Sequence, residues 1–122
     1  MKHTYETGLQ GESAAEAYLH SRLGMTCLER RYRTRCGEID LIMLDGKTVV
    51  FVEVKTRLTG TPGQGLMSVT EEKQKRISRA AVLYLMKSGR LDSPVRFDVI
   101  EVRPDSVCHI PDAFQPGAMF YR

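Results

Sequence analysis

The chain has 122 residues, of which 42% are hydrophobic and 27% charged, and 18 basic against 15 acidic side chains give a net charge of +3. This length suits one domain, residues 1–122, with a single core. No apolar run approaches the roughly 18 residues of a membrane span, and the first residues lack the apolar core of a signal peptide. Its three scattered cysteines do not suggest a disulfide framework, so we expect a soluble cytoplasmic protein.

The first predicted element is a helix over about residues 8–23. Thr7 and Gln10 have the spacing of a capping box, and Gly24 is placed to end the helix. The apolar residues of this helix fall in one narrow arc: Ala15, Leu19 and Leu23. Glu12 lies at the centre of that arc and is expected to point toward the protein. The alternative is a first-turn carboxylate that the helix dipole stabilises while it stays partly solvated.

Residues 25–35 are predicted to form a strand rich in arginine. Between positions 25 and 36, four arginines against one glutamate give a local charge of +3, equal to the net charge of the chain. Tyr32 stands among these arginines and is expected to pack in the core. The arginines are either a phosphate-binding patch or a solvated strand face.

Residues 37–57 read GEIDLIMLDGKTVVFVEVKTR and predict an antiparallel hairpin. Asp45 and Gly46 between two apolar runs form a strong hairpin signal, because both residues tolerate the positive φ that the turn needs. The hairpin places Asp40 and Glu53 on neighbouring strands. The second run is apolar on both alternating faces, as is typical of a strand buried on both sides.

Glu53 interrupts that apolar run with a charge. Residues two apart on a strand share a face and lie roughly 6.6 Å apart along it, so Glu53 and Lys55 address one small volume. A buried charge without compensation is heavily penalised. The compensating partner is Lys55 alone, a metal ion, or both.

A Gly- and Pro-rich loop is predicted at residues 58–65, where it is placed to clasp a substrate beside the charged strand. It lacks the Gly-Lys-Ser/Thr ending of a nucleotide-binding loop, which argues against nucleotide hydrolysis. Ser68 and Glu71 then have capping-box spacing and open a helix that ends near Ser88, with Gly89 as its stop. The predicted buried stripe of this helix is Ile77, Ala80, Ala81 and Tyr84.

The last predicted elements are a strand at residues 95–103 and a short strand at 107–110. The helical crossover before the first of these predicts that it runs parallel to the third strand. Asp98 within it is either a third acidic contributor to the site or the partner of Arg96 or Arg103 in an ion pair.

Together the helix and hairpin supply two or three carboxylates and one lysine: Glu12, Asp40, Glu53 and Lys55. Magnesium prefers oxygen ligands and is usually held by one or two carboxylates together with substrate phosphates. A metal ion in such a site activates water and offsets the charge of a scissile phosphate, while Lys55 positions the nucleophile or stabilises the transition state. The set therefore predicts phosphodiester hydrolysis with Mg²⁺ or Mn²⁺, and a structural salt bridge is the competing interpretation.

The pattern of Asp40 followed by Glu-Val-Lys at 53–55 resembles the PD-(D/E)XK nuclease superfamily. The segments GESAAEAYL, RRYRTRCGEIDLI, FVEVKTR and RFDVI, within about residues 8–114, resemble the YraN family of small bacterial proteins. That family is related to archaeal Holliday-junction resolvases. The resemblance implies an α/β fold with a restriction endonuclease-like αβββαβ core, in which helices flank a mixed sheet.

The resemblance also implies roles for individual residues. Asp40 and Glu53 correspond to metal ligands, Lys55 to the catalytic lysine, and Glu12 to the carboxylate that resolvases place beside the metal. Resolvase-like relatives act as two-fold dimers, so a homodimer is expected.

The leading functional hypothesis is therefore a Mg²⁺- or Mn²⁺-dependent endonuclease that cuts DNA, with branched DNA as one candidate substrate. The alternatives are a catalytically inactive nucleic-acid-binding module and an interaction subunit of a DNA-processing complex. The residues expected to contact nucleic acid are basic side chains of the first strand, the end of the hairpin and the second helix: Arg31, Arg33, Arg35, Arg57, Lys73, Lys75, Arg76 and Arg79. For the helical lysines and arginines, a solvated surface is the other interpretation.

Overall fold

The computed structural model describes residues 2–58 and 69–115, with side chains described from residue 9 onward. The elements in chain order are α1 (Lys2–Leu23), β1 (Thr26–Arg33), β2 (Glu38–Asp45), β3 (Thr48–Thr56), α2 (Glu71–Ser88), β4 (Val95–Val102) and β5 (Val107–Ile110). The strands form one sheet in the order β1-β2-β3-β4-β5. Among the strands of the described residues, only the β3–β4 pair is parallel. This α/β architecture confirms the predicted αβββαβ core and the short last strand.

The sheet is covered on both faces, and β3 runs through its centre. Val49 and Phe51 pack in the cluster that includes residues of α2, whereas Val50 and Val52 pack in the cluster that includes residues of α1. Complete burial of each such side chain contributes about 1.5–3 kcal/mol. Burial on both faces explains why β3 is an almost continuous apolar run. Because side chains alternate along a strand, Glu53 follows Phe51 onto the α2 face.

The hairpin and the second helix were largely predicted. The turn between β2 and β3 consists of Gly46, with φ +62°, and Lys47. Asp45 was predicted to share the turn with Gly46 in a positive-φ conformation, but it ends β2, pairs with Thr48 and does not have a positive φ. Tyr32 packs edge-on against Tyr84 with ring centroids 5.2 Å apart. Gly89 caps α2 in the left-handed conformation, as predicted. The predicted stripe of α2 is buried throughout: Ile77, Ala80, Ala81 and Tyr84.

The start of α2 differs from the prediction. Thr70 is the N-cap, and its side-chain oxygen accepts a hydrogen bond from the amide of Lys73 at 3.2 Å. Ser68, the predicted cap, lies outside the described residues, as does the predicted 58–65 loop apart from Leu58. The capping-box pattern favoured Ser68 because Thr70 has no Glu or Gln three positions later.

Two expectations for α1 were wrong. The helix begins at Lys2, so the capping-box spacing at Thr7 lies inside the helix and does not mark its start. The helix does end before Gly24, which has φ +70°. Leu23, however, is 45% exposed, while Met25 is buried in the cluster beside α1. The chain reverses at Gly24, and Met25 thereby fills the space that the helical stripe assigned to Leu23.

Gly11 allows α1 to lie directly on β3. A Cβ atom at this position would overlap Thr56 Oγ1. We expect Gly11→Ala to destabilise the protein by about 1–3 kcal/mol, as is usual when an atom is forced into a packed contact. Urea unfolding measures this loss. The double variant Gly11→Ala/Thr56→Ala removes the obstructing hydroxyl and should recover most of it, whereas an undisturbed single variant would contradict the close approach.

Within residues 2–58 and 69–115, neither helix combines the length and the apolar character needed to cross a membrane.

Candidate metal and nucleic-acid site

The site begins where β2 and β3 separate. Their backbone pairing runs from Asp45 opposite Thr48 to Leu41 opposite Val52 and does not continue further. At the next step, the amide of Val54 donates a hydrogen bond to Asp40 Oδ2 at 2.8 Å. A carboxylate thus replaces the carbonyl that the neighbouring strand would otherwise supply. We call this opening between Asp40 and Val54 the fork.

A cavity of about 370 Å³ opens at the fork and extends to the first turns of α2. It collects both acidic and basic side chains from three elements. The lining residues are Gly37, Glu38, Asp40, Glu53, Val54, Lys55, Lys73, Arg76 and Ile77. Three of the four predicted catalytic residues, Asp40, Glu53 and Lys55, are therefore brought together, and Glu12 does not line the cavity.

Glu53 lies between two lysines. Its side chain is only 10% exposed, and its Oε2 atom lies 3.5 Å from Lys55 Nζ and 3.6 Å from Lys73 Nζ. The sequence suggested Lys55 or a metal ion as the partner of Glu53 and did not include Lys73. The available signal was that Lys73 precedes the buried Ile77 by four residues, which places both on the same side of α2.

The carboxyl group of Asp40 is strongly perturbed. Burial raises its pKa most, and a hydrogen bond with Glu53 together with the charge of Glu53 raises it further, to about 8. The hydrogen bond from the amide of Val54 opposes this shift. At neutral pH Asp40 is therefore largely protonated. A divalent cation can displace such a proton and bind both groups.

Lys55 is also perturbed. Burial lowers the pKa of Lys55 most, the neighbouring Lys73 lowers it further, and the attraction of Glu53 opposes both effects. The side chain of Lys55 is 15% exposed, against 42% for Lys73. Lys55 is accordingly the fixed ammonium group of the cavity, while Lys73 reaches it from the solvent side.

Glu12 points toward the sheet, as its position in the apolar arc predicts, but another residue holds it there. Arg31 Nε lies 2.8 Å from Glu12 Oε1, and both side chains are half-buried. Burial raises the pKa of Glu12, although Arg31 opposes the shift. Arg31 has φ +48° in β1, whose pairing with β2 is irregular between Cys27 and Glu29. This rare backbone conformation directs Arg31 to α1.

Among the other basic residues predicted to contact nucleic acid, Arg76 lines the cavity. Arg33, Arg35, Lys75, Arg76 and Arg79 are exposed and Arg57 is half-buried. Two of them already have acidic neighbours, since Arg33 pairs with Glu38 at 3.3 Å and Arg76 with Glu72 at 2.7 Å. Exposed pairs of this kind are weak and exchange readily for a phosphate.

Asp98 does not belong to the cavity. It shares the α1 face of β4 with Ile100 and is fully buried. Arg96 Nε lies 2.9 Å from its Oδ1 and His109 Nε2 lies 2.8 Å from its Oδ2, while the amide of Asp112 donates a further hydrogen bond at 2.9 Å. Burial acts to raise the pKa of Asp98, but these hydrogen bonds outweigh it and lower the pKa. The ion pair with Arg96 is thus the correct alternative.

Arg103, the other candidate partner of Asp98, pairs instead with Glu101. Arg103 Nε lies 3.2 Å from Glu101 Oε2, and the glutamate is fully buried. Residues two apart on one strand share a face, so this pair lies on the face opposite Asp98.

The oxygen donors at the fork fit a magnesium-type ion. Among the side chains of residues 9–58 and 69–115, no three His, Cys, Asp or Glu residues come close enough together to hold a metal. Asp40 and Glu53 are the two carboxyl groups that could bind such an ion, and Glu12 would have to leave Arg31 to join them. Two carboxylates suffice for Mg²⁺, which keeps several waters and takes its remaining ligands from substrate phosphates.

The family of the chain follows from comparison with known proteins. The model described as "Uncharacterised protein family UPF0102" matches residues 11–102. A UPF0102 protein of Geobacter metallireducens is 46% identical over 117 residues, which cover 93% of this chain and 95% of that protein. A UPF0102 protein of Chlorobium chlorochromatii is 49% identical over 121 residues, 91% and 92% of the two chains.

Among solved structures, "Crystal structure of SSO0001" aligns with a TM-score of 0.45 and 14% identity, and the alignment covers 90% of this chain and 52% of that one. The UPF0102 proteins of Geobacter metallireducens and Chlorobium chlorochromatii match this chain nearly end to end. The chain therefore belongs to the UPF0102 family, the YraN family that its motifs resemble.

Proposed function

We propose that this protein is an endonuclease that uses Mg²⁺ or Mn²⁺ to hydrolyse phosphodiester bonds in DNA. One observation carries the proposal: the carboxyl groups of Asp40 and Glu53 and the ammonium group of Lys55 line one open cavity, with Glu53 Oε2 3.5 Å from Lys55 Nζ. A purely structural ion pair would not require two carboxyl groups to be held together against their mutual repulsion.

Asp40 and Glu53 are the residues that would hold the metal ion. When bound, the ion activates a water molecule and offsets the charge that develops on the phosphate. The amide of Val54 fixes one oxygen of Asp40, which orients the carboxyl group before any ligand arrives. Such preorganisation lowers the cost of reaching the transition state.

Lys55 acts on the phosphate or on the attacking water. Its ammonium group is buried against the cavity wall, so it donates hydrogen bonds from a fixed position and stabilises developing negative charge. Its lowered pKa makes transfer of its proton easier. Lys73 and Arg76 reach the same cavity from α2 and bind the non-bridging oxygens of the phosphate.

The exposed cations around the cavity provide the binding surface for the DNA backbone. Contacts between such cations and phosphates are independent of sequence and weaken as salt concentration rises. Resemblance to the resolvases adds two further parts to the proposal, a branched substrate and a two-fold dimer that presents two copies of the site. Light scattering tests the second part, because a monomer in solution would weaken the idea of symmetric cutting.

The decisive experiment is a cleavage screen with the purified protein. Linear, flapped and four-way DNA substrates are each incubated with Mg²⁺, with Mn²⁺ or with EDTA. We expect cleavage of at least one substrate with metal and none with EDTA. Absence of both cleavage and binding on every substrate would refute the proposal. Binding without cleavage under all conditions would favour an inactive nucleic-acid-binding module.

A further inference from the structure

A second groove lies beside the proposed active site. It has a volume of about 480 Å³ and lies between the end of β1 and the C-terminal half of α2. Its lining includes three apolar side chains and three cations, Tyr32, Leu83, Met86, Arg33, Arg35 and Lys87. We call it the basic groove. Its volume is within the range of about 300–1,000 Å³ that is typical of ligand pockets.

The basic groove has the charge and polarity of a site for an anion with an apolar part. No acidic side chain lines it among the described residues. Glu38 is the neighbouring acid, and its 3.3 Å pair with Arg33 is exposed and therefore weak. Met86 is 59% exposed although it is a large apolar residue. The groove thus combines uncovered apolar surface with positive charge.

The β1–β2 turn connects the basic groove to the cavity at the fork. Thr34 and Arg35 line the groove, while Gly37 lines the cavity. Hydrogen bonds fix this turn, since the amide of Thr34 donates to the carbonyl of Gly37 at 2.9 Å and Thr34 Oγ1 donates to the same carbonyl at 3.0 Å. Gly37 also packs against Arg76 so closely that an added Cβ would lie 3.3 Å from the Arg76 backbone.

The two openings follow one side of α2. Ile77 lines the cavity and Lys87 the basic groove, and ten residues of helix separate them by about 15 Å. That length corresponds to roughly four or five nucleotides at the duplex rise of 3.4 Å, and to fewer in an extended strand. A polymer with one phosphate at the fork therefore reaches the groove within a few nucleotides.

We infer that the basic groove binds unpaired nucleotides of the substrate, so that the protein recognises DNA with a single-stranded arm. Sites for single strands combine cations that follow the backbone with apolar or aromatic side chains on which bases stack. A duplex presents the phosphates but hides the faces of its bases, and it would leave the surface of Leu83 and Met86 uncovered. This inference rests on the proposed function in taking the bound polymer to be the substrate.

The test is a binding measurement in EDTA, which is independent of cleavage. Fluorescence anisotropy compares a single-stranded oligonucleotide with a blunt duplex of the same length. Met86→Gln keeps the length of the side chain but removes its apolar character, and it should weaken single-strand binding about fivefold or more. Duplex binding should change less than about twofold, because the duplex does not use this surface.

Charge variants supply the second measurement. The double variant Arg35→Gln/Lys87→Gln removes two phosphate contacts and should reduce the salt slope of single-strand binding by about 1.4. Lys47→Gln is the matched control, because Lys47 is exposed in the turn at the other end of the hairpin, and it should change neither affinity. Met86 and Lys87 are exposed, so thermal unfolding of all variants should match the wild type.

Equal losses on single strand and duplex with Met86→Gln, or no loss on either, would overturn the inference. Competition by poly-glutamate as strong as that by DNA would also overturn it, because the groove would then suit an acidic protein segment. The outcomes separate the two proposals. If the protein cleaves DNA but the groove variants bind DNA like the wild type, only this inference fails. If the protein binds single strands selectively but cleaves no DNA, the proposed nuclease activity fails and the groove remains a binding site.

Discussion

Replacing Glu53 by alanine is expected to lower the rate of DNA cleavage by about a hundredfold to a thousandfold, while DNA affinity is kept or becomes tighter. The loss follows because one of the two carboxylates that would hold the metal is removed, together with its stabilisation of the transition state. Affinity rises or holds because a negative charge next to the phosphate disappears and Lys55 and Lys73 lose their shared partner. Single-turnover cleavage and binding in EDTA measure the two effects separately.

Two controls accompany the Glu53 variant. Asp92→Ala removes one negative charge from the exposed α2–β4 connection and should cut DNA at the wild-type rate. Glu53→Gln keeps the volume of the side chain, so a parallel loss of activity in a fully folded variant excludes collapse of the cavity as the cause. Wild-type activity in both Glu53 variants would show that the fork is not the catalytic centre.

Asp40→Asn is expected to raise the free energy of unfolding of the metal-free protein above neutral pH by about 1–3 kcal/mol. This is the usual cost of a buried polar group without its partner, which the wild type incurs once Asp40 loses its proton. The folded protein raises the pKa of Asp40 from 3.8 to about 8. Its contribution to stability is therefore complete below the lower value and is lost as pH rises through the higher one. Asparagine mimics the protonated acid, because it accepts from the amide of Val54 and donates to Glu53 at every pH.

Urea unfolding in EDTA at about pH 6 and about pH 8.5 measures this difference. From the lower to the higher pH, the stability of the wild type should fall relative to that of Asp40→Asn. Added Mn²⁺ should restore the stability of the wild type, because the ion would bind only the folded state. The variant lacks one carboxylate and should respond much less to Mn²⁺. Parallel curves for the two proteins, with equal responses to Mn²⁺, would contradict the raised pKa of Asp40.

The parts of the site that lie on the hairpin could be predicted from the sequence. The glycine between the two apolar runs marks the turn at Gly46, although Asp45 belongs to the strand, and the period of two along β3 fixes the common face of Glu53 and Lys55. Both follow from short-range rules that operate within about ten residues of chain. For the same reason the buried stripe of α2 was correct, since its members repeat with the helical period.

Other features depend on contacts between distant segments, which no local pattern encodes. Lys73 reaches Glu53 only because α2 crosses the sheet at the fork. Arg31 turns to Glu12, 19 residues away in sequence, through a left-handed conformation that arginine rarely adopts. The basic groove requires the end of β1 to lie beside the last turns of α2. Each of these results from how the elements pack and not from the residues of one element.

Because the amide of Val54 donates a hydrogen bond to Asp40, the side chain at position 40 has two roles, one in the sheet and one in the cavity. One oxygen of the side chain completes the hydrogen bonding of β3, and the carboxyl group also serves the cavity. An apolar residue at position 40 would leave the amide of Val54 without its acceptor. At this position, a loss of activity could then be separated from a loss of folding only with asparagine, which keeps the acceptor. Position 53 carries no such strand duty. A variant that would remove the proposed activity while keeping the fold, for capturing bound nucleic acid in cells, is therefore best made at Glu53.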